Sequence, residues 1–439
     1  MNILGLDVGS SSVKAGIVRG GRIIGPLVHA SYPTYFDGIR AEVGPANVLK
    51  AITHAISQLG PAARRVEAIG LSVMSPAWIA MDRAGKPLTP IVTHQDRRSV
   101  RIAHELENRV GKQQFLRIAG NLPFPGGISI TTLAWYVKNQ PEVIRNADLI
   151  GHLNTFLHRQ MTGKRVIDPS NASFTGLYET VKLGTWSHEL CKAAGVSISK
   201  LPDIFESNQV PGTITPQSAR RFGLTEGTPV MAGMIDTSAA LMLFGAGAGQ
   251  LLNVSGSTDV LGLCTNRPRP HEKLLTRAVG VGRLWLSVGT LAAAGSSIVW
   301  AREQLFRDLS ADDFYRLVAK LARKPEKSAD APTVVFEPYL AGERTSIDQK
   351  RASFSNLTLA TTRQDMLEAI IDALAKASGA RLGLLKSRGV RIRPTVFTSG
   401  GTAHALHKIL YRDWPGRWRF KSEREASLRG LSRIMPRPL

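Results

Sequence analysis

Three stretches of this chain set glycines, small hydroxyls and isolated carboxylates at the ends of apolar runs. The first is residues 4–17, LGLDVGSSSVKAGI. Two β-prone runs are joined by Gly9, Ser10, Ser11 and Ser12, which predicts strand, tight turn, strand. A turn rich in backbone N–H groups and hydroxyls, with no bulky side chain in the way, suits an anion such as phosphate. Asp7 lies near the end of the first run, and a carboxylate beside phosphate is useful chiefly when a cation lies between them. Lys14 adds a positive charge. Taken alone, the stretch is equally compatible with an ordinary Ser-rich hairpin. It is neither common phosphate loop: GxxxxGK[ST] is absent, and a strand rather than a helix follows the glycine.

The second stretch, residues 250–263, reads QLLNVSGSTDVLGL and repeats the pattern with Gly256, Ser257 and Thr258. Two such turns, one in each half, are far more specific than either alone. They predict two related domains whose hairpins face one another across a cleft. The third feature is Asp236, which ends the apolar run from Val230 and precedes Thr237, Ser238 and Ala239. A carboxylate in so apolar a neighbourhood needs a reason, because burying one unpaired is costly. It can cap a helix that starts at Thr237 or act as a general base, and the residues alone favour the cap. Residues 91–98, IVTHQDRR, run from apolar to charged, as either a solvated strand end or a pocket wall.

The elements that would position these groups are legible in outline. Residues 45–59 carry a helical apolar pattern that Gly60-Pro61 stops. Residues 67–74 read as a buried strand ending in Ser75-Pro76, residues 77–81 as the next strand, and residues 82–86 as a hairpin turn. Residues 100–116 are predicted helical, 121–129 a loop, and a helix starts near Thr132. Residues 168–178, DPSNASFTGLY, are a polar loop of small residues. A strand over 230–235 ends at Asp236. Residues 362–385 form an amphipathic helix with Thr362 and Asp365 as cap and partner, and 395–401 form a strand that ends in a glycine pair. Such a pair lets a flat ligand approach the backbone.

With 439 residues the chain favours two or more domains, and its 43% hydrophobic content is ordinary for a globular protein. Cys191 and Cys264 match no disulfide or metal pattern, which fits a reduced, cytoplasmic setting. No signal peptide precedes the first strand. The long uncharged stretches 232–254 and 284–301 are interrupted by Gly and Ser and read as buried core, not membrane spans. The formal net charge of +22 is unusually basic. The Arg and Lys residues are scattered without any RRM, KH or zinc-finger pattern, so no specific nucleic-acid partner is expected. Only residues 412–437 are markedly basic.

Several motifs in order identify a family. LGLDVGSSSVKAGI, residues 72–98, GMIDTSAALMLFGAG, NVSGSTDVLG, PYLAGERTS, residues 354–372 and VFTSGGTAHAL together resemble the FGGY carbohydrate kinases. The overall look is xylulokinase-like, within the actin/Hsp70/sugar-kinase superfamily. The resemblance implies an α/β chain of two ribonuclease-H-like, actin-like ATPase domains flanking a central cleft. Residues 1–247 would hold the sugar site, the first phosphate loop and the catalytic aspartate, and residues 248–439 the second phosphate loop and adenosine site. Domain closure would exclude water.

By the same resemblance, ATP phosphorylates a sugar hydroxyl with Asp236 as base. Asp7 holds Mg2+. Gly9, Ser10, Ser11, Ser12 and Lys14 grip phosphate from one side and Gly256, Ser257 and Thr258 from the other. Gly295, Gly400, Gly401 and Thr402 complete the nucleotide site. Met74, Ser75, Asp96, Asp236 and Arg97 or Arg98 are candidates for sugar contact. The implied acceptor is a ketopentose such as xylulose, with another ketose, a polyol or glycerol as alternatives. The partners are a small sugar and ATP, with no membrane, and a homodimer is left open. The chain departs from the family pattern at His94, Ser75-Pro76, Thr132, Asn356 and Asp372-Ala373, and its ending after EREASLRG suggests a shortened C-terminal domain. A catalytically impaired paralogue is the rival expectation.

Overall fold

A computed structural model describes residues 1–323, 334–400 and 404–438. The chain forms two compact units. The first comprises Met1–Gly247, Cys264–Ser287 and Glu425–Leu439, and the second Ala248–Leu263 and Val288–Arg424. A single cut near residue 247 therefore leaves out two later segments that return to the first unit.

The first unit is built on a seven-stranded sheet. Ile3–Val8 pairs antiparallel with Ser12–Arg19 on one side and parallel with Ala68–Val73 on the other. The register sets Asp7 opposite both Lys14 and Ser72. Met234–Ile235 runs parallel to Ala68–Val73, with Met234 opposite Ser72. Three parallel strands thus end at one edge, and Asp7, Ser75 and Asp236 lie at or just beyond those ends. The strand expected over 230–235 is two short strands, Pro229–Val230 and Met234–Ile235. Gly233 separates them at φ 80°, and a Cβ there would lie 2.7 Å from the Leu71 carbonyl oxygen. The helix Pro45–Gln58 buries Val48, Leu49, Ile52 and Ile56 against this sheet's core, as its periodicity predicts.

A second sheet in the same unit contains Thr34–Asp37, Arg40–Val43, Ile91–Thr93, Ala77–Met81 and Leu149–His152. The strand expected to extend to Arg98 stops at Thr93. The single helix expected over 100–116 is two, Val100–Val110 and Lys112–Ile118, broken at Gly111 where φ is 86°.

The returning tail is anchored by apolar burial. Leu428, Leu431 and Ile434 pack with Ile3, Val18, Met231, Met234 and Ala239. At about 1.5–3 kcal/mol for each fully buried side chain, these contacts fix the short helix Ala426–Gly430 firmly on the first unit.

The second unit repeats the local arrangement. Leu251–Ser255 and Asp259–Thr265 form a hairpin, Leu251–Ser255 pairs parallel with Thr395–Ser399, and Arg419–Ser422 follows in parallel. The long helix Arg363–Lys386 starts in a complete capping box between Thr362 and Asp365. No helix of the described residues is long and apolar enough to cross a membrane.

Candidate active site

In the first unit the turn after Val8 is closed by the Gly9 amide on the Ser12 carbonyl, 2.9 Å. Outer ties occupy its carbonyls. The Tyr32 amide donates to the Ser11 carbonyl at 2.8 Å, Thr34 Oγ1 to the Ser10 carbonyl at 2.8 Å, and the Tyr32 hydroxyl to the Gly9 carbonyl. Ser11 is exposed, and Ser10 and Ser12 are half-buried. The turn therefore keeps donors accessible while its acceptors are occupied, as an anion cradle requires.

Asp7 sits at the base of that turn. Ser72 Oγ donates to it at 2.6 Å and Ser427 Oγ at 2.8 Å. Burial pushes its carboxyl up to about 6, with the nearby Asp236 charge adding to the rise and the two serines and Lys14 opposing it. Two carboxylates sharing one edge fit a cation. Among the described residues no cluster of three or more His, Cys, Asp or Glu could hold a metal. Magnesium is commonly held by one or two carboxylates with phosphate and water supplying the rest. Lys14 pairs with Glu425 at 2.6 Å.

Asp236 is the first residue of the helix Asp236–Leu243, with Ile235 as N-cap. The expectation of a buried carboxylate needs correction: Asp236 is exposed, while Thr237, Ser238 and Ala239 behind it are buried. Its Oδ1 accepts from the Thr237 amide at 2.5 Å, so it also satisfies a helix-end donor. Exposure at the end of a parallel strand leaves the carboxylate able to meet a hydroxyl.

Two sugar-contact expectations are also corrected. Asp96 is 1% exposed. Its oxygens take the Ala41 amide at 2.9 Å and both the amide and guanidinium of Arg98, at 2.7–3.0 Å. Arg98 also pairs with Glu42. The carboxylate clamps the end of a strand and presents no open face. Met74 is buried in the core. Ser75 remains half-buried, with its Oγ 3.4 Å from His152 Nδ1, and Arg97 donates to the His94 and Asp96 carbonyls. Burial pulls His152 down to about 3, so it is a neutral hydrogen-bond partner.

Sequence reasoning missed the support behind Asp236. Asp168 caps the short helix Pro169–Ala172, and Ser170 Oγ accepts from the Ile235 amide at 3.0 Å. Arg277, buried, donates to Thr237 Oγ1 and lies over the Phe174 ring. The Asp-Pro pair is a legible helix-start signal. Nothing in the sequence marks Arg277.

In the second unit, the turn Gly256–Thr258 is tied to the start of the helix Gly295–Leu305. Gly256 donates to the Thr258 carbonyl at 2.8 Å, Ala294 to Ser257 at 2.9 Å, and Gly295 to Gly256 at 3.1 Å. A Cβ on Gly295 would lie 2.5 Å from the Gly256 carbonyl oxygen. At Gly400, with φ 126°, it would lie 2.0 Å from the Ser255 carbonyl oxygen. Both glycines are thus required for close backbone approach around the turn. Gly401 and Thr402 lie outside the described residues. Beneath the turn, Asp259 is 1% exposed and pairs with Arg381 at 2.7 Å. Asp259 Oδ1 accepts from Asn253 at 2.8 Å and Ser255 at 2.5 Å, and Asn253 accepts from Tyr411 at 2.5 Å.

Known families share this arrangement. Residues 2–243 match the N-terminal domain of the FGGY family of carbohydrate kinases, and residues 251–407 match its C-terminal domain. The chain belongs to this family. It is a sugar phosphotransferase with the actin-like ATPase fold, and kinases of this family use ATP. The chain is 25% identical to a gluconokinase of Bacillus subtilis, over 85% of this chain and 74% of that relative. It is 23% identical to a xylulose kinase of Escherichia coli, over 94% and 84% respectively. The structure of a xylulose kinase from Rhodospirillum rubrum superposes with a TM-score of 0.85 at 22% identity, covering 99% of this chain and 88% of that one.

Proposed function

We propose that the chain transfers the γ-phosphate of ATP to a hydroxyl of a ketopentose such as xylulose, with Asp236 as general base. The observation that carries this reading is an exposed carboxylate at the same strand edge as Asp7 and the first serine turn. Asp236 takes the hydroxyl proton as the oxygen attacks phosphorus, a role that contributes about 10²–10⁴-fold in such reactions. The remaining catalysis is alignment and charge placement. In the first unit Ser10, Ser11 and Ser12 are the phosphate donors, and in the second unit Ser257 and Thr258 are. Gly295 and Gly400 keep the backbone close-packed around the second turn beside the nucleotide. Lys14 exchanges Glu425 for phosphate. Asp7 would hold Mg2+, which supplies neutralisation of phosphate charge when bound.

Relatives named xylulose kinase and gluconokinase both support small open-chain acceptors. A sugar acid is the second reading, because a relative named gluconokinase matches over 85% of the chain.

The test is ADP release, coupled to an indicator enzyme, across pentuloses, hexuloses, aldonates, polyols and glycerol. Xylulose or ribulose should stimulate release most, and Asp236→Asn should lower the stimulated rate about 10²–10⁴-fold. A preference for gluconate selects the second reading. Sugar-stimulated release that persists at the wild-type rate in Asp236→Asn rules out the base assignment, and silence with every sugar favours an impaired paralogue.

A further inference from the structure

The turn that begins at Asp168 has no role in the reaction as described, yet it is the most heavily bonded polar cluster near Asp236. Asp168 is fully buried. One oxygen accepts from the Ser170 amide at 2.8 Å, the Asn171 amide at 3.2 Å and the Ser170 hydroxyl. The other accepts from Asn154 Nδ2 at 2.8 Å and Asn171 Nδ2 at 2.6 Å. All five of these donors are neutral, and burial pushes the carboxyl up to about 6.

The direction of each bond in the chain is forced. A carboxylate can only accept and a backbone amide can only donate. The single proton of the Ser170 hydroxyl therefore goes to Asp168, and its lone pair receives the Ile235 N–H at 3.0 Å. A hydroxyl polarised by a carboxylate is the stronger acceptor. Ile235 is the N-cap of the helix whose first residue is Asp236. The same turn reaches the other side of that helix start. Ser173 Oγ accepts from the Ala278 amide at 3.0 Å and donates to the Pro169 carbonyl at 2.7 Å, next to Arg277 on Thr237.

We propose that Ser170 is a positioning residue for Asp236, with Asp168 and its turn holding the Ser170 hydroxyl in place. The inference rests on the reading of Asp236 as base. Ser170 touches neither substrate. It fixes the peptide that carries the base, and a shift of about 1 Å at such a group can cost on the order of 10²-fold in rate.

The test compares Ser170→Ala, Asp236→Asn and the double variant in single-turnover phosphoryl transfer with the best acceptor. Ser170→Ala removes one buried oxygen and should fold normally, checked by its melting temperature. The expected result is a kcat about 10- to 100-fold lower, with KM for ATP and sugar within about twofold of wild type. In the Asp236→Asn background the same substitution should cost nothing further, because there is no base left to place. A full repeat of the loss in that background marks a general structural role and overturns the inference. So does a wild-type kcat in Ser170→Ala alongside an inactive Asp236→Asn. An active Asp236→Asn instead removes the base reading itself. Should Ser170→Ala fail to fold, Asn154→Ala, which removes from outside the turn one of the two donors to the second Asp168 oxygen, is scored by the same criteria.

Discussion

Gly430→Ala gives the most demanding check on how this structure works. A Cβ on Gly430 would lie 1.8 Å from the Ala239 carbonyl oxygen, 2.7 Å from its carbon and 3.3 Å from the Leu243 nitrogen. All three are backbone atoms of the helix that begins at Asp236, so no side chain can swing aside. Restoring ordinary contact requires helix and tail to part by about 1.5 Å. Overpacking of this kind costs about 1–3 kcal/mol, and rigid backbone puts the cost at the upper end. The alternative, releasing the tail, forfeits the burial of Leu428, Leu431 and Ile434 at about 1.5–3 kcal/mol each, so shifting is the cheaper response. Alanine's helix preference returns only about 0.5–1 kcal/mol. The net loss of about 2 kcal/mol should lower the melting temperature by about 4–8 °C. The shift also disturbs Ser427 on Asp7 and Glu425 on Lys14, so phosphoryl transfer should fall with it. The matched control is Gly383→Ala on the long helix of the second unit, where a new Cβ meets nothing within 4 Å. That variant should melt at or above the wild-type temperature with normal activity. Equal behaviour of the two variants would refute the packing argument.

Two further outcomes follow from buried charge. Arg381→Met leaves Asp259 buried without its cation, so it should destabilise by about 3–5 kcal/mol and raise KM for ATP, as seen by melting and kinetics. Adding Asp259→Asn should recover part of the loss, and an unperturbed Arg381→Met would remove the ion pair as support for the second turn. The Asp7 carboxyl, pushed up to about 6 from an unfolded value near 3.9, binds its proton more tightly in the folded state. Its contribution to stability is full below about pH 4 and is lost as pH rises through about 6. At pH 7.5 the ionised group therefore opposes folding, and Asp7→Asn should melt higher than wild type by an amount equivalent to about 1–2 kcal/mol while losing activity. A lower melting point for Asp7→Asn at that pH would refute the assignment.

The sequence alone determined what local chemistry determines. Apolar alternation and small turn residues are enough to specify a hairpin, so both hairpins and their repetition were legible, as was the capping box at Thr362. Asp7 and Asp236 stood out because isolated carboxylates at the ends of apolar runs are rare. The order of motifs then identified the family.

What remained hidden depends on which distant segments share a core. Asp96 invited a sugar-binding role because the sequence does not show that Arg98, Ala41 and Glu42 surround it. Met74 looked like a pocket residue until its side chain proved part of the core. Asp236 looked buried because its neighbours in sequence are apolar, whereas a helix start turns one residue outward and the next three inward. The tail was assigned to the second domain by its position in the chain. Tertiary structure placed it on the first, because Leu428, Leu431 and Ile434 find their apolar partners there, and burial is indifferent to sequence distance. That docking also supplies Ser427 to Asp7 and Glu425 to Lys14, contacts between residues more than 400 positions apart that no local pattern encodes.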